Sequence, residues 1–226
     1  MNNSKLSIGT VQFGMQYGVA NNLKKTDVRH VVKILDTAHK EGINALDTAP
    51  IYGNSEVVLG EALCGQNWNI TTKIPPCEED VVSASYLKTI KKSLCHSLLS
   101  LGVQIVDGLL VHNCDDLFKP GGRDIFFELK KLQSLGLIKK IGVSVYTKDQ
   151  ILRVLDNFDI DLIQLPINIL DQRLIHSGCL EKLKKKGVEI HARSVFLQGL
   201  LLMPLNMIPD YFSPIIKNIK NFNEDA

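Results

Sequence analysis

Four residues stand in an order suited to proton transfer: Asp47, Tyr52, Lys73 and His112. A phenol is a poor acid at neutral pH unless its anion is stabilised, and a neighbouring ammonium can do this. Two unit charges about 4 Å apart interact by roughly 4 kcal/mol at an effective dielectric near 20, enough to lower a pKa by up to about three units. A carboxylate can hold the ammonium in place, and a neutral imidazole can hydrogen-bond a carbonyl oxygen and orient it. The set is suited to giving a proton to an oxygen that is becoming an alkoxide. Each residue also has a plain structural role open to it when taken alone. Asp47 can cap a turn, Tyr52 can pack in a loop, Lys73 can end a solvated strand, and His112 can be satisfied beside Asn113. Their joint order favours a catalytic site.

Such a set needs a scaffold that brings distant segments together. Four amphipathic segments each end in glycine and run into a short apolar stretch: Asp27–Glu41 before Gly42, about Val81–Leu101 before Gly102, Asp124–Leu135 before Gly136, and Gln172–Lys186 before Gly187. Glycine just past a helix end supplies the left-handed residue that stops it. In the second segment Leu87, Ile90, Leu94, Leu98 and Leu101 step by three or four, and Thr26 is placed to cap the first. Strands are expected near Leu6–Phe13, Asn44–Asp47, Asn69–Lys73, Ile105–His112, Ile141–Val145, Leu162–Leu165 and Glu189–Ser194. Their Val, Ile and Leu content without clean alternation suits strands buried on both faces.

Strict alternation of strand and helix predicts an α/β fold with a parallel sheet. No G-x-G-x-x-G follows a strand, so a (β/α)8 TIM-barrel type is favoured over a doubly wound sheet. Such a barrel has eight strands, and only seven are visible. After Leu200–Met203 come a Pro-bearing loop, a helix near Tyr211–Asn221 and a polar end. The expectation is one domain over 1–226, truncated after about residue 200, with the eighth strand and helix missing. Strands one and seven would then flank a gap, either unpaired or covered by Tyr211–Asn221. Chemistry in such barrels sits at the C-terminal ends of strands. Asp47, Lys73, His112, Ser144, Gln164, Arg193 and Ser194 fall there, with Tyr52 in the loop after strand two.

Composition narrows the class further. The chain has 226 residues, 45% hydrophobic and 22% charged, with a net charge of +2. No strong field would recruit nucleic acid or an anionic membrane. The run Lys184–Lys186 reads as the solvated end of a helix. No apolar run is long enough to span a bilayer, and the polar Met1–Lys5 is unlike a signal peptide. The five cysteines form no C-x-x-C pair and no histidines have metal-site spacing, so a cytoplasmic protein without a metal is expected. Cys114, near His112, lacks the base and orienting group of a nucleophile.

The stretches LSIGTVQFG (6–14), DTAPIYGNSE (47–56), TKIP (72–75), LLVHN (109–113) and IGVS (141–144) resemble the aldo/keto reductases, over roughly residues 5 to 200. The resemblance implies Tyr52 as general acid, Lys73 as the group that lowers its pKa, Asp47 as the partner of Lys73, and His112 as the group that orients substrate. It implies NADPH as cofactor, with NADH possible, and a small aldehyde, ketone or sugar carbonyl as substrate for a monomer or weak oligomer.

Cofactor positions implied in the same way are Gly9 and Thr10 in strand one, and Ser144, Gln164 and Asn168 around the carboxamide. The SVFLQGL loop supplies Ser194, Phe196, Leu197, Gln198, Gly199 and Leu200 around the pyrophosphate. Arg193 stands where many relatives place an aromatic that stacks on the nicotinamide, and a guanidinium plane can also stack. MQYGVAN (15–21) and SVFLQG are similar to a bacterial branch, some of whose members are associated with surface-polysaccharide or unusual-sugar synthesis. The alternative is a truncated, inactive relative that serves as a binding or interaction protein.

Overall fold

Strand β1 is short because the chain has another use for the residues after it. It runs over Ser7–Gly9 and closes with Thr10, whose N–H donates to the Asp47 carbonyl at 3.0 Å. The expected continuation to Phe13 instead forms a helical turn, α1 (Val11–Gly14), which buries Phe13. The computed structural model describes residues 5–20, 25–63 and 65–225. Residues 1–4, 21–24, 64 and 226 lie outside these, Asn21 and Cys64 among them.

The remaining elements alternate, with two helices before the last strand: α2 (Val28–Lys40), β2 (Ala45–Asp47), α3 (Ser55–Ala62), β3 (Asn69–Ile74), α4 (Ala84–Leu101), β4 (Val106–Val111), α5 (Arg123–Ser134), β5 (Ile138–Ser144), α6 (Lys148–Asn157), β6 (Leu162–Pro166), α7 (Arg173–His176), α8 (Cys179–Lys185) and β7 (Glu189–Arg193). The chain ends in 3-10 turns at Leu197–Leu202, Leu205–Met207 and Asp210–Ile215, then α9 (Ile216–Asp225).

Local chemistry explains most boundaries. Gly102 caps α4 at φ +66°, as its place after the leucine series predicts. Ser83 and Thr147 cap α4 and α6 through side-chain oxygens, the latter in a full capping box with Gln150. Two expectations need correction. Asp27, not Thr26, caps α2, because its carboxylate accepts from the Arg29 N–H at 2.9 Å. The single helix expected over Gln172–Lys186 is two, broken where Gly178 turns to φ +74°.

Among the described residues the strands of the sheet all pair in parallel, in the order β1-β2-β3-β4-β5-β6-β7. The sheet curls as an incomplete TIM barrel with helices outside. The outer side packs on α2–α6 through Leu35, Ile90, Leu129, Ile151 and Val154, each 1% exposed or less. At roughly 25 cal/mol per Å² of apolar surface removed from water, such side chains contribute about 2 kcal/mol each. Every residue of β6 is buried, whereas on β7 Ala192 is exposed and Ile190 only half-buried.

That difference marks the sheet edge. Among the described residues there is no eighth strand, and β1 and β7 are not paired with each other. The tail does not refill the slot with a strand. Its Ile208 and Ile219 form a small second core with Leu200, Leu201 and Met203, joined by Val19. The loops after β1 and β7 therefore meet across the C-terminal mouth. The Ala20 N–H donates to the Gln198 carbonyl at 3.4 Å, and Gln198 Nε2 donates to the Tyr17 hydroxyl at 2.9 Å. Below this clasp a cavity of about 2230 Å³ runs from Lys5 and Ser7 on one edge and Glu189 on the other up to Tyr52 and His112. In a closed barrel such a lumen is filled by side chains.

Candidate active site

The strand register climbs as it passes around the sheet, and this places the site. Asp47 lies opposite Thr71, and Lys73 is two residues beyond Thr71 on the same face. Lys73 in turn lies opposite Leu110, and His112 is two residues beyond that. A side-chain period of two keeps all three facing the lumen, and the two-residue step per strand is the stagger of tilted barrel strands. Residues 26 and 39 positions apart thus become neighbours in one row.

Lys73 is almost wholly buried, at 2% exposure. Its ammonium donates to Asp47 Oδ1 at 2.9 Å and to the Thr48 carbonyl at 2.8 Å. Gln164 reaches across from β6 and donates to the same Asp47 oxygen at 2.7 Å. A buried cation is tolerated only when paired and hydrogen-bonded. Thr10 supports the group from below: its hydroxyl donates to the Asp47 carbonyl at 3.0 Å and accepts from Ser55 at 2.9 Å.

Tyr52 sits above this pair. Lys73 Nζ lies 5.1 Å from the centre of its ring. The ring meets that of His112 edge-on, at 6.4 Å between centroids. The turn that carries Tyr52 rests directly on Gly14. A Cβ on Gly14 would overlap the Tyr52 carbonyl oxygen and come within 2.8 Å of Ser55 Cβ, so only glycine fits.

The resting electrostatics differ from a depressed phenol. Burial first, and then the Asp47 carboxylate, push the Tyr52 phenol well above its ordinary value. The Lys73 ammonium meanwhile is paired with Asp47 at 2.9 Å. His112 is shifted the other way. Burial, and next the Lys73 ammonium, hold it down at about 4, and its Nδ1 is buried without a hydrogen-bond partner among the described residues. Both groups are therefore neutral near pH 7. Burial also pushes the Cys114 thiol up to about 12, unlike an activated nucleophile.

One pH effect follows. His112 binds its proton with a lower pKa in the folded chain than its ordinary 6.5. Between about 6.5 and 4 the unfolded chain binds more protons at this residue, so its contribution to stability falls as pH falls through that window. The His112 ring resonances should titrate with a midpoint near 4 by NMR. A midpoint near 6.5 would contradict the burial argument.

The other expected positions divide by location. Ser144 and Gln164 lie opposite each other in register on β5 and β6, both buried, and Gly9 lines the same cavity. Asn168 is buried too, but its Oδ1 accepts from the Leu170 and Asp171 N–H groups at 2.9 Å and so shapes the loop after β6. Ser194, Phe196, Gln198 and Gly199 line the cavity mouth. Leu197 packs against the second core and Leu200 belongs to it. Ser194, Leu197 and Gln198 have φ of +59°, +49° and +57°, a left-handed conformation that non-glycine residues adopt at a cost.

Two contributors were not expected. The Thr48 carbonyl, which anchors Lys73, is a backbone group with no side-chain signature. Tyr146 carries the Arg193 guanidinium 4.0 Å over its ring; its place two residues after Ser144 was the available signal.

A curled parallel sheet, with its titratable groups at the C-terminal strand ends, defines a TIM-barrel-type enzyme scaffold. Comparison with known proteins narrows the class. The model of the aldo/keto reductase family matches residues 5–212, and the chain belongs to that family. It is 30% identical over 185 residues to the NADH-specific methylglyoxal reductase of Escherichia coli, covering 73% of this chain and 56% of that protein. It is 31% identical over 167 residues to the 6-dehydroglucose reductase of Novosphingobium aromaticivorans, covering 67% and 52%. An aldo-keto reductase of Bacillus halodurans, solved in its holo form, superposes with a TM-score of 0.72 at 25% identity, covering 93% of this chain and 67% of that one. The chain spans about half the length of the curated relatives it matches.

Proposed function

We propose that the chain reduces an aldehyde, ketone or sugar carbonyl to the alcohol with a nicotinamide dinucleotide as cofactor, in one barrel-type domain. The observation that carries this reading is the convergence of Tyr52, the Lys73–Asp47 pair and His112 on one cavity. The cofactor supplies a hydride to the carbonyl carbon when bound.

The chain's own residues supply the rest. A neutral His112 donates a hydrogen bond to the carbonyl oxygen and orients it. Tyr52, protonated at rest, gives its Oη proton to that oxygen as it becomes an alkoxide. Lys73 then stabilises the phenolate left behind, held in place by Asp47 and the Thr48 carbonyl. Asp47 is itself fixed by Gln164, and its strand end by Thr10.

The cavity suits a nicotinamide cofactor. A Cβ added at Gly9 would meet no atom within 4 Å, which leaves open floor for a flat ring. Ser144 and Gln164 line the cavity and would hold its carboxamide through hydroxyl and amide groups, with Asn168 on the loop that follows β6. The run Ser194–Leu200, with three strained residues, is of the kind found at ligand clamps, and Arg193 offers a guanidinium face. NADPH is the expected form, with NADH the second.

A second reading is a binding protein that keeps the site without turnover. Titration of NADPH and NADH by nicotinamide fluorescence, followed by turnover with methylglyoxal and a sugar aldehyde, decides. Saturable binding with carbonyl-dependent oxidation supports the reductase. Binding without oxidation supports the second reading, and absence of both removes the cofactor assignment.

A further inference from the structure

A buried carboxylate behind the sheet takes no part in the chemistry proposed for the cavity. Glu56 lies in the first turn of α3 and is 5% exposed. Its Oε1 accepts from the Thr72 hydroxyl at 2.7 Å and its Oε2 from the Ser97 hydroxyl at 2.9 Å. Both donors are themselves buried, and no ion pair reaches Glu56 among the described residues. A buried charge left with neutral donors is costly, and the N-terminal turn of a helix offsets only part of that cost. A carboxylate here therefore needs a reason beyond packing.

We propose that Glu56 is a positioning residue: by holding Thr72, it sets the distance between the Tyr52 hydroxyl and the Lys73 ammonium. The inference rests on the reductase reading of the cavity. Both ends of the Glu56–Thr72 bond lie next to the groups concerned. Thr72 directly precedes Lys73 on β3 and faces outward where Lys73 faces the lumen. Glu56 stands one helical turn after Tyr52, and the link between them is tight. The Ser55 N–H donates to the Tyr52 carbonyl at 3.1 Å, and the Ser55 hydroxyl donates to the Thr10 carbonyl at 2.8 Å. Among the described residues, Glu56–Thr72 is the one side-chain hydrogen bond between α3 and β3.

The Ser97 bond has a different destination. Ser97 belongs to α4, which carries no group of the site. Helix α3 already rests on α4 by shape, because a Cβ on Gly60 would overlap the Ser100 carbonyl oxygen. The two hydroxyls thus make the same kind of bond to one carboxylate, and only Thr72 leads to the site. The bonds from Lys73 to Asp47 and to the Thr48 carbonyl hold the ammonium to the end of β2. Glu56 holds the start of α3, and with it the Tyr52 turn, to β3. Stabilisation of a phenolate by an ammonium falls off with their separation, so a small shift of the turn weakens it.

Thr72→Val and Ser97→Ala each remove one hydroxyl from the same carboxylate, so both should lower the denaturation midpoint by a similar amount. They should differ in the reaction. The single-turnover rate of NADPH oxidation with methylglyoxal should fall about 10- to 100-fold in Thr72→Val, the cost of a small misplacement, and by less than about 2-fold in Ser97→Ala. NADPH Kd should stay nearly constant in both. Glu56→Ala should lose the rate as Thr72→Val does. Glu56→Gln, whose amide oxygen can accept from Thr72 while its amide nitrogen donates to Ser97, should recover most of it. The His112 ring, edge-on to Tyr52 at 6.4 Å, reads the same displacement by NMR without turnover, because a nearby aromatic ring shifts proton resonances. Its signals should move in Thr72→Val and stay in place in Ser97→Ala, and they decide the matter if the wild type does not reduce carbonyls. Equal rate losses in Thr72→Val and Ser97→Ala, a Glu56→Gln rate as low as that of Glu56→Ala, or unmoved His112 signals in Thr72→Val overturn the proposal.

Discussion

Replacing Tyr52 by phenylalanine should lower kcat for carbonyl reduction by about 10³-fold, within the range that a positioned general acid contributes. The hydroxyl is the only group removed, and the ring keeps its edge contact with His112 and its place over Lys73. Folding should be preserved for the same reason, as should cofactor affinity, because the hydroxyl acts only when charge develops on the substrate oxygen. Steady-state kinetics with a fluorescence titration of NADPH measures both. A Phe variant with kcat within an order of magnitude of wild type removes Tyr52 from the mechanism. Because the resting phenol is held above its ordinary value by burial and by Asp47, the wild-type rate should not rise with a phenol deprotonation at moderate pH.

The second large effect is expected at Lys73. Lys73→Met leaves the Asp47 carboxylate facing a buried apolar group, with Gln164 as its remaining side-chain donor. Breaking a buried pair on one side costs about 3 kcal/mol or more, chiefly because the surviving charge is uncompensated. The Thr48 carbonyl also loses its donor. Activity should fall by at least about 10²-fold, since nothing then stabilises the phenolate.

The double variant Lys73→Met with Asp47→Asn separates stability from catalysis. Removing both charges should recover most of the lost stability in a denaturant series while activity stays low. Recovery of activity in the double variant would show that Lys73 is structural only. Stability losses that simply add would show that the two groups are not coupled, against the 2.9 Å contact.

Much of this was legible along the chain, for physical reasons. A parallel β/α series is built from local signals. Amphipathic helices stop at glycine, and buried strands follow them as short Val-, Ile- and Leu-rich runs. The order of Asp47, Tyr52, Lys73 and His112 placed one chemistry at three successive strand ends, because a parallel sheet puts all its C-terminal ends on one side. The absence of an eighth apolar run before the polar tail was equally visible, and among the described residues the sheet has seven strands.

What the sequence could not decide depends on contacts between distant segments. The end of β1 at Gly9 is set by the Thr10 rung on Asp47, 37 residues away. Gln164 and Asp47, 117 residues apart, meet only because the sheet curls. The seat of Tyr52 on Gly14 is a close approach between two backbones, for which a glycine in sequence looks like any other. The Tyr52 phenol is raised, not lowered, because the folded chain buries it and sets the Asp47 carboxylate near it. Local propensity and periodicity fix which segments become strands and helices. Tertiary packing alone decides which charges meet a partner, and so leaves Arg193 without one among the described residues while Lys73 is matched.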